Sequence, residues 1–189
     1  MKHDTKDLQN AASGFAGTAA AANCISVMQP KPDARLRLVC AHHAGGSARY
    51  FEDWPGLLGD DIEVLAVNLP GRGNRRHEPL IHDLETAVAA IADALLPHLD
   101  RPFAMFGDSI GALVCFEVIR HLRRAGLPLP LRLFASGMVA PHIVWWNPER
   151  PMHRMPDAEL FQGLVRDAGM LDEQSLADDD LREVMLPVL

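Results

Sequence analysis

Apolar residues along this chain fall into short continuous runs separated by segments of helical periodicity. Residues 62–69 (IEVLAVNL) form a nearly unbroken apolar run, which is typical of a parallel strand buried on both faces. Residues 35–41, 103–106 and 131–135 show similar short runs. Between them, the apolar positions of residues 84–95 follow the spacing of an amphipathic helix. This alternation predicts an α/β fold, with a mostly parallel sheet and helices on both of its faces.

A sharp turn is predicted where the run at residues 103–106 meets the apolar segment 110–122. The residues between them read Gly-Asp-Ser-Ile-Gly, with Ser109 at the apex and Gly107 and Gly111 two positions to either side. A serine hydroxyl is a weak nucleophile and must stand clear of the sheet to react. A turn that tight crowds its flanking residues, which are best without a Cβ. The pattern favours a nucleophile elbow at Ser109 over an ordinary strand–helix turn with an N-capping serine.

The loop after the predicted strand 35–41 has the composition of an oxyanion-binding loop. It reads His-His-Ala-Gly-Gly-Ser over residues 42–47, and its two glycines permit a close approach to a neighbouring group. Acyl transfer to a serine forms a tetrahedral oxyanion that needs two converging N–H donors. With an elbow in this position, the donors are the amide after the nucleophile, here Ile110, and an amide of this loop, here Ala44. Without the elbow, a plain flexible loop would be the simpler interpretation.

Four segments, in order along the chain, resemble one enzyme family. They read AHHAGGSARYFEDW, VLAVNLPGRGNRRHEP, RPFAMFGDSIGALVCFEVIRHLRRAG and FASGMVAPH. Over residues 36–189 the chain is similar to the type II thioesterases, the stand-alone editing hydrolases of nonribosomal peptide and polyketide synthesis. The resemblance implies an α/β-hydrolase fold with a helical cap at about 143–189. It also implies a serine thioesterase of antibiotic biosynthesis, which removes misloaded or stalled acyl groups from the phosphopantetheine arms of acyl or peptidyl carrier domains.

This chain departs from the family pattern at two positions beside the candidate site. His42 stands where the family usually has proline, and Asp108, inside the elbow, stands where it usually has histidine. A carboxylate about 6 Å from the developing oxyanion would oppose it by roughly 2–3 kcal/mol at an effective dielectric near 20. Solvent screening removes most of that penalty if the side chain points outward. Asp108 could instead be a hydrogen-bond partner for a cap residue or a carrier domain, and the sequence leaves these roles open.

The resemblance also implies that two members of the catalytic triad lie outside this chain. In the family, the carboxylate and the histidine follow two further strands, beyond residue 189. We therefore expect residues 33–189 to be an incomplete, C-terminally truncated domain, with its final strands missing and little activity of its own. The Ala-Pro-His motif places His142 just after a predicted strand. His142, and His43 in the loop 42–47, are candidates to line the pocket. We assign neither as the catalytic base, because a base must first have the right geometry.

Two other functional classes remain compatible with the sequence. One is another serine hydrolase on the same fold, such as an esterase or a haloperoxidase-like enzyme, against which the motifs around residues 42–47 and 68–73 argue. The other is a non-catalytic product, either a truncated reading frame or a module that binds carrier domains. Fold resemblance alone does not decide among activities that share a fold. An aspartate and a Gly-His pair encoded beyond Leu189 would separate a working enzyme from the non-catalytic alternative.

The composition of the chain limits the classes of partner and the cellular compartment that we expect for it. The 189 residues are 48% hydrophobic and 23% charged, which suffices for one globular core. A net charge of −7 argues against nucleic acid as a partner. None of the nine histidines has metal-ligand spacing, so we expect neither a metal nor another cofactor. No apolar stretch approaches the length of a membrane span, and we expect a cytoplasmic monomer.

The amino-terminal segment differs from the rest of the chain. Residues 8–30 carry no charge and are dominated by small residues. The start, MKHDTKD, carries two acidic residues, and the small-residue segment lacks the large aliphatic core of a signal peptide. We therefore expect residues 1–32 to be a disordered leader rather than a targeting sequence. Pro30 and Pro32 mark the predicted domain boundary.

Overall fold

The structure is a computed structural model that describes residues 23–143, 154–160 and 186. The chain forms two compact units, Met1–Met138 and Val139–Leu189. The first unit contains the sheet, the helices that cover it and the candidate nucleophile. In the second unit, the described residues include a turn at residues 141–142 and a helical segment at residues 157–160. The expected cap falls mostly outside the described residues and stays a prediction.

Five strands form one sheet. They are β1 (Ile25–Val27), β2 (Leu36–Ala41), β3 (Ile62–Val67), β4 (Phe103–Asp108) and β5 (Leu133–Ser136). Their order across the sheet is β1-β3-β2-β4-β5, with β1 antiparallel to β3 and the other pairs parallel. The predicted mostly parallel sheet is confirmed. The ends of β2 to β5 lie within about two residues of the predicted ones, since each of these strands coincides with an apolar run in the sequence.

In the described part of the first unit, three α-helices accompany the strands: α1 (Trp54–Leu57), α2 (Leu84–Leu95) and α3 (Ile110–Arg124). α2 begins after Asp83, whose side chain accepts a hydrogen bond from the Thr86 amide at 2.7 Å and satisfies a free N–H of the first turn. α3 is followed by Gly126, whose φ of 68° ends the helix in a conformation that costs glycine little. Short 3₁₀ turns lie at Ala48–Phe51, Gly73–Arg75 and Leu96–His98.

Apolar side chains are buried on both faces of the sheet, because successive strand residues point in opposite directions. On β2, Val39 and Ala41 join the core that α2 and α3 form on one face. Leu38 and Cys40 join the core on the other face, which the turn Ala48–Phe51 and α1 cover. Helices therefore cover both faces, as the sequence predicts, and the parallel strands are anchored firmly enough to present fixed loops at their ends.

The amino-terminal boundary of the first unit is earlier than predicted. β1 lies inside the expected leader, residues 1–32, and its Ser26 pairs with Ala66 of β3. Cys24 is fully buried as well, and its carbonyl accepts a hydrogen bond from the Asn68 amide at 2.8 Å. The prediction is wrong for the described part of the leader, because a three-residue edge strand is too short to leave a recognisable apolar run. The rest of the leader lies outside the described residues.

A buried ion pair joins the amino ends of β2 and β3. Arg37 and Glu63 are opposite each other in the strand register, and Arg37 Nε donates to Glu63 Oε2 at 2.8 Å. Both side chains are less than a tenth exposed. Arg37 also donates to the carbonyl of His98 and to the carboxylate of Asp100. Burial alone would raise the pKa of Glu63, but hydrogen bonds from Arg37 and from the Lys31 amide hold it below its usual range.

Candidate active site

The candidate site lies where the chain changes direction across the sheet. β2 and β4 are neighbours, with Ala41 opposite Gly107. The chain leaves β2 toward β3 on one side and leaves β4 toward β5 on the other. The loops after these two strands therefore diverge and leave a crevice at their carboxyl ends, the usual position of a ligand in an open α/β sheet. The predicted oxyanion loop, residues 42–47, follows β2, and the predicted elbow follows β4.

Ser109 has the strained backbone that a nucleophile elbow requires. Its φ is 53° and its ψ is −123°, a conformation that costs a residue with a side chain about 1–3 kcal/mol. Two hydrogen bonds hold this backbone in place. The Ser109 amide donates to the carbonyl of Ser136 at 2.8 Å, and its carbonyl accepts from the Ala112 amide at 2.9 Å. Ser109 therefore stands at a sharp turn between β4 and α3, with its main chain tied to the end of β5.

Gly107 and Gly111 lie where a Cβ does not fit. A Cβ on Gly107 would overlap the backbone of Gly111 and Ala112, and a Cβ on Gly111 would overlap the carbonyl group of Ala41. Both obstacles are main chain, so neither can rotate away as a side chain would. The elbow thus packs directly on the end of β2, which brings the first turn of α3 against the start of the oxyanion loop.

The close packing around Gly111 predicts that a larger residue at this position destabilises the fold. Gly111→Ala is expected to lower the free energy of unfolding by about 2–3 kcal/mol, because the added methyl group overpacks a site closed by backbone. For a chain of this size, the thermal midpoint should fall by roughly 5–10 °C. Gly59→Ala is the matched control, since a Cβ on Gly59 meets nothing within 4 Å. Equal midpoints for the two variants would contradict the packing described above.

Two histidine rings fix the loop that follows β2. The Nδ1 of His42 lies 2.8 Å from the carbonyl oxygen of His43, and the Nδ1 of His43 lies 2.8 Å from that of Ala44. Because a carbonyl only accepts, each Nδ1 carries the ring proton. The Gly46 amide closes the turn by donating to the His43 carbonyl at 3.1 Å. Gly45 has a φ of 73°, so the turn also depends on a glycine.

His42 is too deeply buried to act as the base for Ser109. It is 6% exposed, and burial lowers the pKa of its imidazole to about 4, against the opposing effect of the hydrogen bond to the His43 carbonyl. An effective general base has a pKa near the working pH, and an imidazole titrating at about 4 is a poor proton acceptor at neutral pH. His42 therefore serves the shape of the loop rather than proton transfer.

The depressed pKa of His42 makes stability depend on pH. An unfolded histidine titrates near 6.5, so the unfolded state binds more protons than the folded state as the pH falls below that value. We expect the free energy of unfolding to drop by about 2 kcal/mol between about pH 7 and about pH 5 from this group alone. Urea unfolding at the two pH values measures it. His42→Asn, which can keep a donor where Nδ1 lies, should lose most of this dependence, and an unchanged dependence would contradict the assignment.

The two candidate oxyanion donors lie on the segments that follow β2 and β4. Ile110 is the first residue of α3, so its amide has no acceptor within the helix, and the positive end of the helix dipole lies there. Ala44 is partly buried in the loop, with its carbonyl held by His43. The segments are close because Gly111 packs on the end of β2. Their role as an oxyanion hole stays a prediction.

Asp108 affects a residue that the sequence did not connect with it. The pKa of the Tyr50 hydroxyl is raised first by burial and then by the charge and hydrogen bonding of Asp108. The same carboxylate lies near Gly137, where an added Cβ would stand 3.5 Å from Oδ1. Tyr50 also packs edge-on against the ring of His43, with centroids 5.0 Å apart. Tyr50 thus lies beside His43 and within electrostatic range of Asp108, although the sequence held no signal for it.

The remaining predictions concern His142, metal binding and membrane-spanning helices. His142 lies in the second unit with its side chain exposed, and its place in a pocket stays a prediction. Among the residues that the structure describes, no group of three or more His, Cys, Asp or Glu side chains could hold a metal ion. In the same part of the chain, no helix combines the length and apolar character needed to cross a membrane.

The amino-acid sequence of this chain is similar to those of known proteins. The thioesterase domain family matches residues 36–189. Linear gramicidin dehydrogenase LgrE of Brevibacillus parabrevis is 41% identical over 167 residues, and gramicidin S biosynthesis protein GrsT of Aneurinibacillus migulanus is 36% identical over 156 residues. These alignments cover 86% and 82% of this chain. They cover 63% of LgrE and 60% of GrsT, so the chain spans about three fifths of these relatives' length.

Solved structures show the same likeness. RedJ, a thioesterase from the prodiginine biosynthetic pathway in Streptomyces coelicolor, is 41% identical with a TM-score of 0.74, over 85% of this chain and 62% of RedJ. BorB, a type II thioesterase from the borrelidin biosynthetic cluster, is 33% identical with a TM-score of 0.72, over 87% of this chain and 65% of BorB. The predicted α/β-hydrolase fold is confirmed by these neighbours.

Proposed function

This chain belongs to the thioesterase domain family, and from that premise we propose that it carries the nucleophile of a serine thioesterase. Its substrates are acyl groups on the phosphopantetheine arms of acyl or peptidyl carrier domains of nonribosomal peptide or polyketide synthases. The observation that carries the proposal is the backbone of Ser109, held at positive φ between two glycines that admit no Cβ. Backbone strain of this kind is concentrated at functional sites, where a side chain must be held in one position.

The geometry supports a two-step acyl transfer. The Oγ of Ser109 attacks the thioester carbonyl carbon, and the carbonyl oxygen becomes an oxyanion that accepts hydrogen bonds from the amides of Ile110 and Ala44. Collapse of the tetrahedral intermediate breaks the C–S bond, and the pantetheine sulfur leaves with a proton. Water then attacks the acyl-serine and releases the free acid. The family resemblance assigns the proton transfers to a histidine held by a carboxylate, a role for which His42 is unsuited.

Buried cysteines do not compete with Ser109 for this role. A cysteine attacks as its thiolate, which forms readily only when its pKa is low. Burial raises the pKa of Cys115 to about 12, and its Sγ donates to the Phe106 carbonyl at 3.5 Å. Burial also raises the pKa of Cys40 far above its usual range. Neither thiol is exposed to solvent, so each is a small core side chain.

The proposed function also bears on the cellular location and the oligomeric state of the protein. A thioesterase that edits carrier-bound intermediates must reach many carrier domains in turn, which a cytoplasmic monomer does without a fixed partner. We propose that state for this protein. The pantetheine arm then supplies the reach between the carrier domain and Ser109, and the carrier surface itself stays outside the crevice.

A substrate comparison tests the proposed function. Because the chain spans about three fifths of its relatives' length, the assay uses the 189 residues extended at the carboxyl end with the corresponding segment of LgrE, hereafter the extended chain. We expect kcat/KM for an acyl-carrier domain to exceed that for the p-nitrophenyl ester of the same acid by tenfold or more, on the order of 1.4 kcal/mol of transition-state binding. Equal or reversed preference would favour a general esterase, and binding of carrier domains without turnover would favour a non-catalytic module.

A further inference from the structure

The turn that follows β3 lies against the end of the predicted oxyanion loop. β2 and β3 are parallel neighbours, so the segments that follow them begin at the same edge of the sheet. The contact is between Gly73, at the start of the 3₁₀ turn Gly73–Arg75, and Ser47, the last residue of the loop 42–47. A Cβ on Gly73 would lie 2.9 Å from the Cβ of Ser47 and 3.1 Å from its Oγ. Gly73 therefore packs closer to Ser47 than a residue with a side chain could.

Hydrogen bonds hold the turn after β3 in place. The Gly71 amide donates to the carbonyl of Arg75 at 3.0 Å, and the Arg75 amide donates to the carbonyl of Arg72 at 2.9 Å. The Arg75 guanidinium, which is buried, donates to the Asn68 carbonyl at 2.7 Å and pairs with the Glu78 carboxylate. A group that presses against this turn therefore meets a segment that is fixed on both sides of Gly73.

The oxyanion loop transmits a displacement of Ser47 to Ala44. The hydrogen bond from the Gly46 amide to the His43 carbonyl, 3.1 Å long, spans Ala44 and Gly45 and closes the loop into one turn. The Ser47 side chain forms no capping hydrogen bond, and its Cβ is bonded directly to the main chain, so this carbon cannot rotate away from a neighbour. Pressure on Ser47 therefore moves the main chain of the loop and, with it, the amide of Ala44.

We propose that Gly73 is a positioning residue for the oxyanion loop: without a side chain, it lets the turn after β3 support the loop where the Ala44 amide meets the substrate oxygen. The inference rests on the proposed function, since it concerns how one oxyanion donor is placed. Restoring an ordinary contact of about 3.5 Å to an added Cβ would move Ser47 by roughly half an ångström. Oxyanion donors act over a narrow range of distances, about 2.7–3.1 Å, so a shift of that size misplaces the Ala44 amide.

A double-mutant cycle tests the contact. In the extended chain, Gly73→Ala is expected to lower kcat about tenfold with KM changed less than about twofold, because alignment of the donor rather than substrate binding is lost. Ser47→Gly removes the Cβ that the new methyl group meets, so in the Ser47→Gly background the same change should lower kcat less than about twofold. The φ of Gly73 is 53°, and the backbone strain of alanine there is the same in both backgrounds. An equal loss in both backgrounds would overturn the proposal.

Gly126→Ala is the matched control for backbone strain. Gly126 has a φ of 68°, close to that of Gly73, but a Cβ on Gly126 meets nothing within 4 Å. Both substitutions should lower the thermal midpoint, whereas only Gly73→Ala should lower kcat. Wild-type kcat in Gly73→Ala, or an equal loss of kcat in Gly126→Ala, would overturn the positioning role.

A transition-state analogue reports on the oxyanion hole itself. When the Oγ of Ser109 adds to a trifluoromethyl ketone analogue of the acyl-pantetheine, the ketone oxygen becomes an oxyanion in the position of the reaction's own. Gly73→Ala should weaken inhibition by this ketone about tenfold, in step with the loss in kcat/KM. The Kd of an acyl-pantetheine amide, which the enzyme does not hydrolyse, should change less than about twofold. Equal weakening of both ligands would indicate lost substrate binding and would overturn the proposal.

Failure of this inference is distinguishable from failure of the proposed function. An extended wild-type chain that turns over no thioester would overturn the proposed function. The contact is then tested in the 189-residue chain, where Gly73→Ala should lower the thermal midpoint more in the wild type than in the Ser47→Gly background. Equal losses in the two backgrounds would overturn the contact between Gly73 and Ser47, and with it the inference.

Discussion

Replacing Ser109 with alanine is expected to lower thioester hydrolysis by the extended chain about a thousandfold or more, because no other described nucleophile stands at the elbow. Residual turnover would come from substrate binding and from the amides of Ala44 and Ile110, which do not depend on the hydroxyl. Steady-state kinetics with an acyl-pantetheine thioester measure the loss in kcat.

Folding controls separate the loss of the hydroxyl from damage to the elbow. Ser109→Ala keeps the Cβ and the strained backbone, so its thermal midpoint should match that of the wild type. Ser109→Gly should be more stable than Ser109→Ala by about 1 kcal/mol, because glycine adopts a φ of 53° at little cost. Ser26→Ala, on the edge strand β1, removes a hydroxyl elsewhere and should keep its activity. Wild-type turnover in Ser109→Ala would contradict the nucleophile assignment.

Removal of the Arg37 guanidinium is expected to have the largest effect on stability. Arg37→Met leaves the Glu63 carboxylate buried and without its main partner, which should lower the free energy of unfolding by about 3–5 kcal/mol. Urea unfolding at neutral pH measures the change. Arg35→Met is the matched control: Arg35 pairs with Asp61, but its side chain is 80% exposed, so solvent screens the pair and its loss should change the free energy of unfolding little.

Two further measurements test the cause of that loss. The double variant Arg37→Met/Glu63→Leu should recover much of the stability, because neither charge of this pair is then left buried without its partner. In the wild type the pKa of Glu63 is held low, so its contribution is present above the pKa of an unfolded glutamate and is lost as the pH falls through the folded value. Arg37→Met should weaken this acid sensitivity. Equal losses for Arg37→Met and Arg35→Met would contradict the buried-pair explanation.

Much of the fold could be predicted because its central strands, β2, β3 and β4, are buried on both faces. Such a strand is apolar along most of its length, so β3 and β4 are visible as short runs of mainly aliphatic and aromatic residues. The elbow was visible for a different reason, since its tight turn leaves no room for a Cβ at Gly107 and Gly111. Both signals are local in sequence, and they placed the predicted nucleophile within its structural surroundings.

The features that were missed depend on contacts between distant residues. β1 is an edge strand of three residues, and its pairing with β3 has no local pattern. Arg37 and Glu63 look like interruptions of two apolar runs until the strand register places them opposite each other. Sequence patterns identify which side chains can react, whereas the partners that hold them are set by packing.

Covalent trapping tests the central claim most directly, because it identifies the atom that accepts the acyl group. The extended chain is mixed with a slowly hydrolysed acyl-pantetheine thioester, quenched with acid, and analysed by intact mass and peptide mapping. We predict one added acyl group on the peptide that contains Ser109, and no adduct in Ser109→Ala. An adduct on Cys115 or any other residue, or one that persists in Ser109→Ala, would contradict the account.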